Sequence, residues 1–109
     1  MKVCSFTLEY YISESNKIPF KDWLEGLKDI RARAKIRISL DRVRLGNFGH
    51  VKSVGEGVHE LKIDYGPGYR VYYAFAGNTI ILLLLGGDKT SQSKDIALAK
   101  EYWKACKRR

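Results

Sequence analysis

Cysteine, proline, acidic residues and long apolar runs are all scarce in this chain. Only two cysteines occur, Cys4 and Cys106, at opposite ends. They form no metal-ligand spacing, and two reduced thiols fit a cytosolic protein better than a terminal disulfide. The two histidines, His50 and His59, have no cysteine near them, so a structural zinc site is not expected. The longest apolar run is Ile80 to Leu85, far short of a membrane span. No basic-then-apolar stretch opens the chain, so no secretory signal is expected and the expected location is the cytoplasm. Acids are outnumbered: 12 Asp and Glu stand against 20 Lys and Arg, for a net charge of +8. That excess favours anionic partners, nucleic acid first, although an acidic protein surface satisfies it equally.

What is present suits one soluble domain covering 1–109. Hydrophobic residues make up 45% and charged residues 29%, which excludes a disordered chain and supplies one real core. There are no internal repeats. Val3 to Ile12 is rich in β-branched and aromatic residues and reads as a first strand. Pro19 opens a helix carrying Phe20, Trp23, Leu24 and Leu27 at helical spacing, with a weak end at Gly26 or Lys28. Asp29 to Leu45 alternates like a strand but is too long for one. Its Ala, Arg, Lys and Leu content, an Asp29 cap and a Gly46-Asn47 stop predict a helix instead.

On a helical projection that segment has two opposed apolar stripes. One holds Ile30, Ala34, Ile38 and Leu45; the other holds Ala32, Ile36, Leu40 and Val43. Two apolar faces predict a helix sandwiched between the sheet and the first helix. Arg31, Lys35 and Arg42 flank the stripes on one side, and Arg33, Arg37 and Arg44 on the other. These rows suit either nucleic-acid contact or a solvated rim. The next segment, 46–57, is a glycine-rich loop with a short strand at Val51 to Val54; His50 in it reads as exposed. Gly77-Asn78 marks a later turn, and Thr79 to Leu85 a covered central strand. Gly86-Gly87-Asp88-Lys89 reads as the end of that strand, with room for a ligand and Lys89 within reach of it. A last helix follows, capped by Ser91 or Ser93, with Asp95 in its first turn and Ile96, Ala99, Trp103 and Cys106 on one face.

The chain is organised around Val58 to Phe75, two alternating strands broken by Gly66-Pro67-Gly68. A three-residue loop would pair Asp64 with Arg70, Ile63 with Val71 and Lys62 with Tyr72. Leu61, Ile63, Val71, Tyr73 and Phe75 then share one face; Glu60, Lys62, Asp64, Arg70 and Tyr72 share the other. A carboxylate, a lysine, an arginine and a tyrosine on one rigid face can bind a phosphate and move protons. The alternation alone also fits an ordinary solvated face. The element order predicts an α+β domain: a twisted antiparallel sheet of four to five strands, two N-terminal helices on one face and a C-terminal helix. The opposite face is expected to be partly open and to carry the polar set.

Three stretches carry a resemblance: Glu60-Leu61-Lys62-Ile63, then Gly66 to Tyr73, then Leu83 to Lys89 with Gln92 and Asp95-Ile96. With Phe20 to Leu24 they resemble the bacterial RelE/ParE toxin superfamily, nearest its HigB-like "addiction module killer protein" group. The resemblance runs from about Phe20 to Tyr102. It implies a cofactor-free, metal-independent endoribonuclease that cuts mRNA at the ribosome. A cognate helix-turn-helix antitoxin would neutralise it in a hetero-oligomer. Arg70 matches the family's strand arginine, a phosphate clamp by guanidinium geometry. Lys62 would stabilise charge or transfer a proton, though this branch carries an arginine there. Glu60 stands where some members carry a general base, and Lys89 lies near a C-terminal basic position. Arg31, Lys35, Arg37, Arg42 and Tyr72 would contact RNA. No histidine falls in the C-terminal catalytic region, which leaves the general acid unassigned. The superfamily also holds gyrase inhibitors, and fold alone does not separate these from nucleases or from a passive basic binding module.

Overall fold

A computed structural model of the chain describes residues 5–109. Val3 and Cys4, which the sequence places in the first strand and at its start, lie outside them. The elements are β1 (Thr7–Tyr10), α1 (Pro19–Gly26), α2 (Ile30–Arg44), β2 (Val51–Gly55), β3 (Val58–Ile63), β4 (Tyr69–Phe75), β5 (Ile80–Asp88) and α3 (Gln92–Lys107). A single turn of 3-10 helix, Lys89–Ser91, joins β5 to α3. The sheet order is β1-β5-β4-β3-β2. β2 to β5 form an antiparallel meander, and β1 adds to β5 in parallel. The α+β class and helix count match expectation, but the sheet is mixed rather than wholly antiparallel.

Local chemistry sets the helix ends. Pro19 occupies the first turn of α1, where its missing N–H costs nothing. The Asp29 carboxylate accepts from the Arg31 and Ala32 amides at 2.9 and 3.3 Å and caps α2. At the other end Gly46 takes φ +87°, so its amide reaches the Val43 carbonyl and the Asn47 amide the Arg42 carbonyl. This paired closure ends a helix at a glycine, as the Gly46-Asn47 signal requires. Alternation in α2 therefore loses to helix propensity and capping.

Ala32, Ile36, Leu40 and Val43 form the buried face of α2. With Phe20 and Leu24 of α1 they cover Leu61, Ile63, Val71, Tyr73, Ile81 and Leu83 of the sheet. The second stripe is not sandwiched. α1 rests on β5 beside α2 in the same layer, not above it. Ile30, Ile38 and Leu45 consequently stand 68%, 50% and 67% exposed. The other sheet face is not open either. α3 crosses it and buries a second core around Ala99, with Val58, Tyr72, Ala74, Leu82 and Leu84. The C-terminal helix therefore packs opposite α1 and α2.

The β3–β4 register differs from expectation by two residues. Lys62 pairs with Arg70 and Leu61 with Val71, because the loop spans 64–68 rather than three residues. Tyr65 is drawn out of the strand: its hydroxyl donates to Asp29 and its ring receives Lys35. A shift of two preserves parity, so every side chain stays on its expected face.

β5 does not stop at Gly86. It runs on to Asp88, pairing Gly86 with Val71 and Gly87 with Arg70. A bulge opposite Tyr72/Tyr73 turns both Leu84 and Leu85 toward α3 and sets the facing of the glycines beyond it. A methyl group at Gly86 would overlap the Trp23 ring, and one at Gly87 the Asp95 carboxylate. The space these glycines leave is thus filled from within, by α1 on one face and α3 on the other. Gly86→Ala is expected to destabilise the fold by about 1–3 kcal/mol, the usual penalty of overpacking, read from urea denaturation. An alanine at exposed Gly77, where nothing lies within contact, is the control.

Candidate active site

Glu60, Arg70 and Tyr72 lie on the α3 face of the meander. Glu60 retains 3% of its accessible surface and Arg70 6%, so two of the charged groups expected in solvent are instead enclosed. The carboxylate is met by donors. The Tyr72 hydroxyl donates to Glu60 Oε2 at 3.1 Å, and Gln92 Nε2 from the start of α3 donates to the same oxygen at 3.0 Å. Lys52 Nζ stands 3.7 Å from Oε1, because β2 pairs Lys52 directly opposite Glu60. Such a shell is what a buried carboxylate requires.

Arg70 is held differently. Its Nη1 donates to the Gly68 carbonyl at 2.8 Å, which folds the side chain back over the loop. Its Nε is buried and has no acceptor among the described residues. A buried donor left unmet costs about 1–3 kcal/mol; only the other edge of the guanidinium faces the depression. Lys62, across from Arg70, remains exposed with its ammonium 3.6 Å from Asp64.

Burial has not closed the route in. An open depression of about 360 Å³ is lined by His50, Val51, Lys52, Glu60, Lys62 and Arg70. A second depression shares His50 and Lys62 with it and continues past Asp64 to Ser39 and Arg42. A third shares Ser39, Arg42 and Asp64 with the second and ends at Lys35. Together they make a continuous trough. It leaves the polar face at the edge where β2 begins and rounds the sheet to one flank of α2.

The sequence-expected residues are therefore divided. Glu60, Lys62 and Arg70 meet at one depression, with Tyr72 beneath them; Lys35 and Arg42 line the trough. Lys89 sits exposed beyond the Tyr69–Asp88 pair and does not line the depression. Arg31 is exposed in the first turn of α2. Arg37 lies in a separate crevice with Tyr10, Phe20 and Leu24, on the α1 side. Three further residues join the site without having been singled out for it: His50, Lys52 and Gln92. The signal for Lys52 was the Gly55-Glu56-Gly57 turn, which sets β2 against β3. For His50 no local signal exists, since a glycine-flanked loop does not declare what it abuts. Among the described residues, no three His, Cys, Asp or Glu side chains are grouped to hold a metal ion.

The family described as phage derived protein Gp49-like (DUF891) matches residues 22–104. The chain belongs to the Gp49-like family. A relative in Haemophilus influenzae, described as an uncharacterized protein, is 49% identical over 83 residues, covering 76% of this chain and 84% of that one. The matched region of this Gp49-like chain runs from α1 through most of α3 and so includes every residue of the depression. No helix among the described residues is long and apolar enough to cross a membrane.

Electrostatics sharpen the roles open to each group. Burial, reinforced by the Glu60 carboxylate, pushes the Tyr72 phenol far above its ordinary value, so it is a fixed donor and not an acid. Burial alone pushes Tyr73, in the other core, up to about 12. Asp95 is raised by burial, partly offset by the Ser91 hydroxyl at 2.6 Å. Both phenols stay protonated in the folded state while the unfolded chain releases these protons near pH 10. Stability should accordingly fall as pH rises from about 10 through about 12. Denaturant midpoints across that window test this, and Tyr73→Phe should flatten the decline.

Proposed function

We propose that this chain is the toxin of a toxin–antitoxin module of the RelE/ParE type, and an endoribonuclease acting on mRNA presented at the ribosome. The observation that carries the reading is the convergence of Glu60, Arg70, Lys62, Lys52 and His50 on one open depression of a chain with net charge +8. Membership of a phage-derived family fits that reading.

In the proposed reaction the RNA supplies its own nucleophile. The 2′-oxygen forms a bond to the adjacent phosphorus as its proton passes to Glu60. The bond from phosphorus to the 5′-oxygen breaks, and that oxygen takes a proton from His50. The products are a 2′,3′-cyclic phosphate and a 5′-hydroxyl end. Arg70 holds the phosphate through the part of its guanidinium that lines the depression. Lys62 and Lys52 offset the added negative charge of the transition state. Tyr72 and Gln92 keep the Glu60 carboxylate aimed. Acid–base groups of this kind each contribute on the order of 10² to 10⁴ in rate. The RNA strand would leave the depression along the trough toward Arg42 and Lys35. A cognate antitoxin, acidic where it meets the basic surface, would restrain the enzyme.

Primer extension on mRNA from cells expressing the protein tests this. Discrete new ends are expected, absent with Arg70→Ala and reduced about 10²-fold or more with His50→Ala. DNA damage without RNA ends would point to gyrase instead. RNA binding without cleavage would reduce the protein to a passive module. Full cleavage by His50→Ala would remove the histidine from the acid role.

A further inference from the structure

We propose that the aromatic patch where β3 begins and β4 ends, on the sheet face that carries α2, is a stacking platform for an unpaired base of single-stranded RNA. Its centre is His59 and Phe75, whose rings lie 5.4 Å apart. The His59 ring is also nearly parallel to that of buried Tyr73, at 5.4 Å and 22°. Phe6 and Phe48 complete the cluster, 5.5 Å from each other and each 6.0 Å from Phe75. The buried core beneath α2 takes in Tyr73 but neither His59 nor Phe75. Phe75 stays 39% exposed and His59 is partly exposed. Rings gathered at a surface in this way mark a contact site, whereas a lone exposed ring does not. Burial lowers the pKa of His59, so near neutral pH its ring offers an uncharged π face.

Neighbouring charge chooses the occupant. Phe48 also lines the second depression of the trough, together with Arg42 and His50. Of the ion pairs among the described residues, none involves Arg42. A nucleotide seated there turns its base toward the rings while its phosphate meets the guanidinium. An apolar protein side chain would cover the rings and leave Arg42 unmet. A second copy of this chain would bring its own excess of positive charge, +8, against the first. Single-stranded RNA is commonly held by laying splayed bases on phenylalanine and histidine rings. Every base has a π face, so the platform adds affinity with little sequence preference.

The inference rests on RNA as the ligand, as in the proposed function, but not on cleavage. The platform lies on the α2 face, and Glu60, Arg70 and Tyr72 lie on the α3 face.

The test uses the full chain and a fluorescein-labelled 2′-O-methyl oligouridylate of about ten nucleotides. This strand lacks the attacking hydroxyl, so it reports binding alone. Fluorescence anisotropy should show saturable binding. An abasic strand with the same phosphates should bind about fivefold or more weakly. Phe75→Leu and His59→Leu should each weaken the uridylate by about fivefold or more, while Phe75→Trp retains affinity and circular dichroism stays unchanged. Neither leucine variant should alter binding of the abasic strand, a distinction that a purely structural role would not produce. Missing mRNA ends in cells, with the uridylate bound as expected, would end the nuclease reading and leave the platform standing. Four results would overturn the platform: no binding of the uridylate, no loss in either leucine variant, an equal loss on the abasic strand, or a dimer in sedimentation that Phe75→Leu dissolves.

Discussion

A carboxylate removed from water must be met by donors, and the architecture around Glu60 follows from meeting that need. Its oxygens are reached from three separate elements: Tyr72 on β4, Gln92 at the start of α3 and Lys52 on β2. Each donor arrives only if its element is in register. The β3–β4 pairing brings Tyr72 opposite Glu60, the β2–β3 pairing brings Lys52, and the short turn after β5 brings Gln92. Lose Tyr72 or Gln92, and a buried carboxylate oxygen is short of a donor, at a cost of about 1–3 kcal/mol; the exposed Lys52 contributes less. The same demand rigidifies the wall of the depression, since a carboxylate tied at two donors cannot reorient freely.

The two glycines in β5 serve this arrangement from behind. Gly86 lets Trp23 lie against the sheet, and Gly87 lets α3 come close enough for Asp95 to sit on the strand. That close approach also carries Gln92 to Glu60. Packing thus sets electrostatics: an ordinary side chain at Gly87 would hold α3 off and remove a donor from the carboxylate. Arg70 pairs with Gly87 across the same strands, so the clamp and the spacing device occupy one rung of the sheet.

Charge is distributed unevenly over the molecule. The basic residues expected to act as one set separate into a trough leading from the depression to Lys35 and Arg42, and a remote crevice holding Arg37. α2 is the divide. One edge belongs to the trough, its inner face to the core, its other edge to α1, and its outer face to solvent. A single helix of 15 residues therefore presents four chemically distinct sides, and a net charge alone does not distinguish among them.

Local rules determined much of this protein. Proline, the Asp29 cap and the Gly46 stop set the helices. Period-two alternation assigned Leu61, Ile63, Val71 and Tyr73 to one face and Glu60, Lys62, Arg70 and Tyr72 to the other, and survived a register error because the shift was even. Those signals act within a few residues, where sequence and geometry are directly linked. What only the tertiary structure decided was coverage. The apolar run of β5 has no period to reveal its bulge, and nothing in α3 states which sheet face it will cross. The outer stripe of α2 reads the same whether buried or bare. His50 joins Glu60 only because a glycine-rich loop folds to the edge where β2 begins. Burial is a relation between distant segments, settled by how their surfaces fit, and no single segment encodes it.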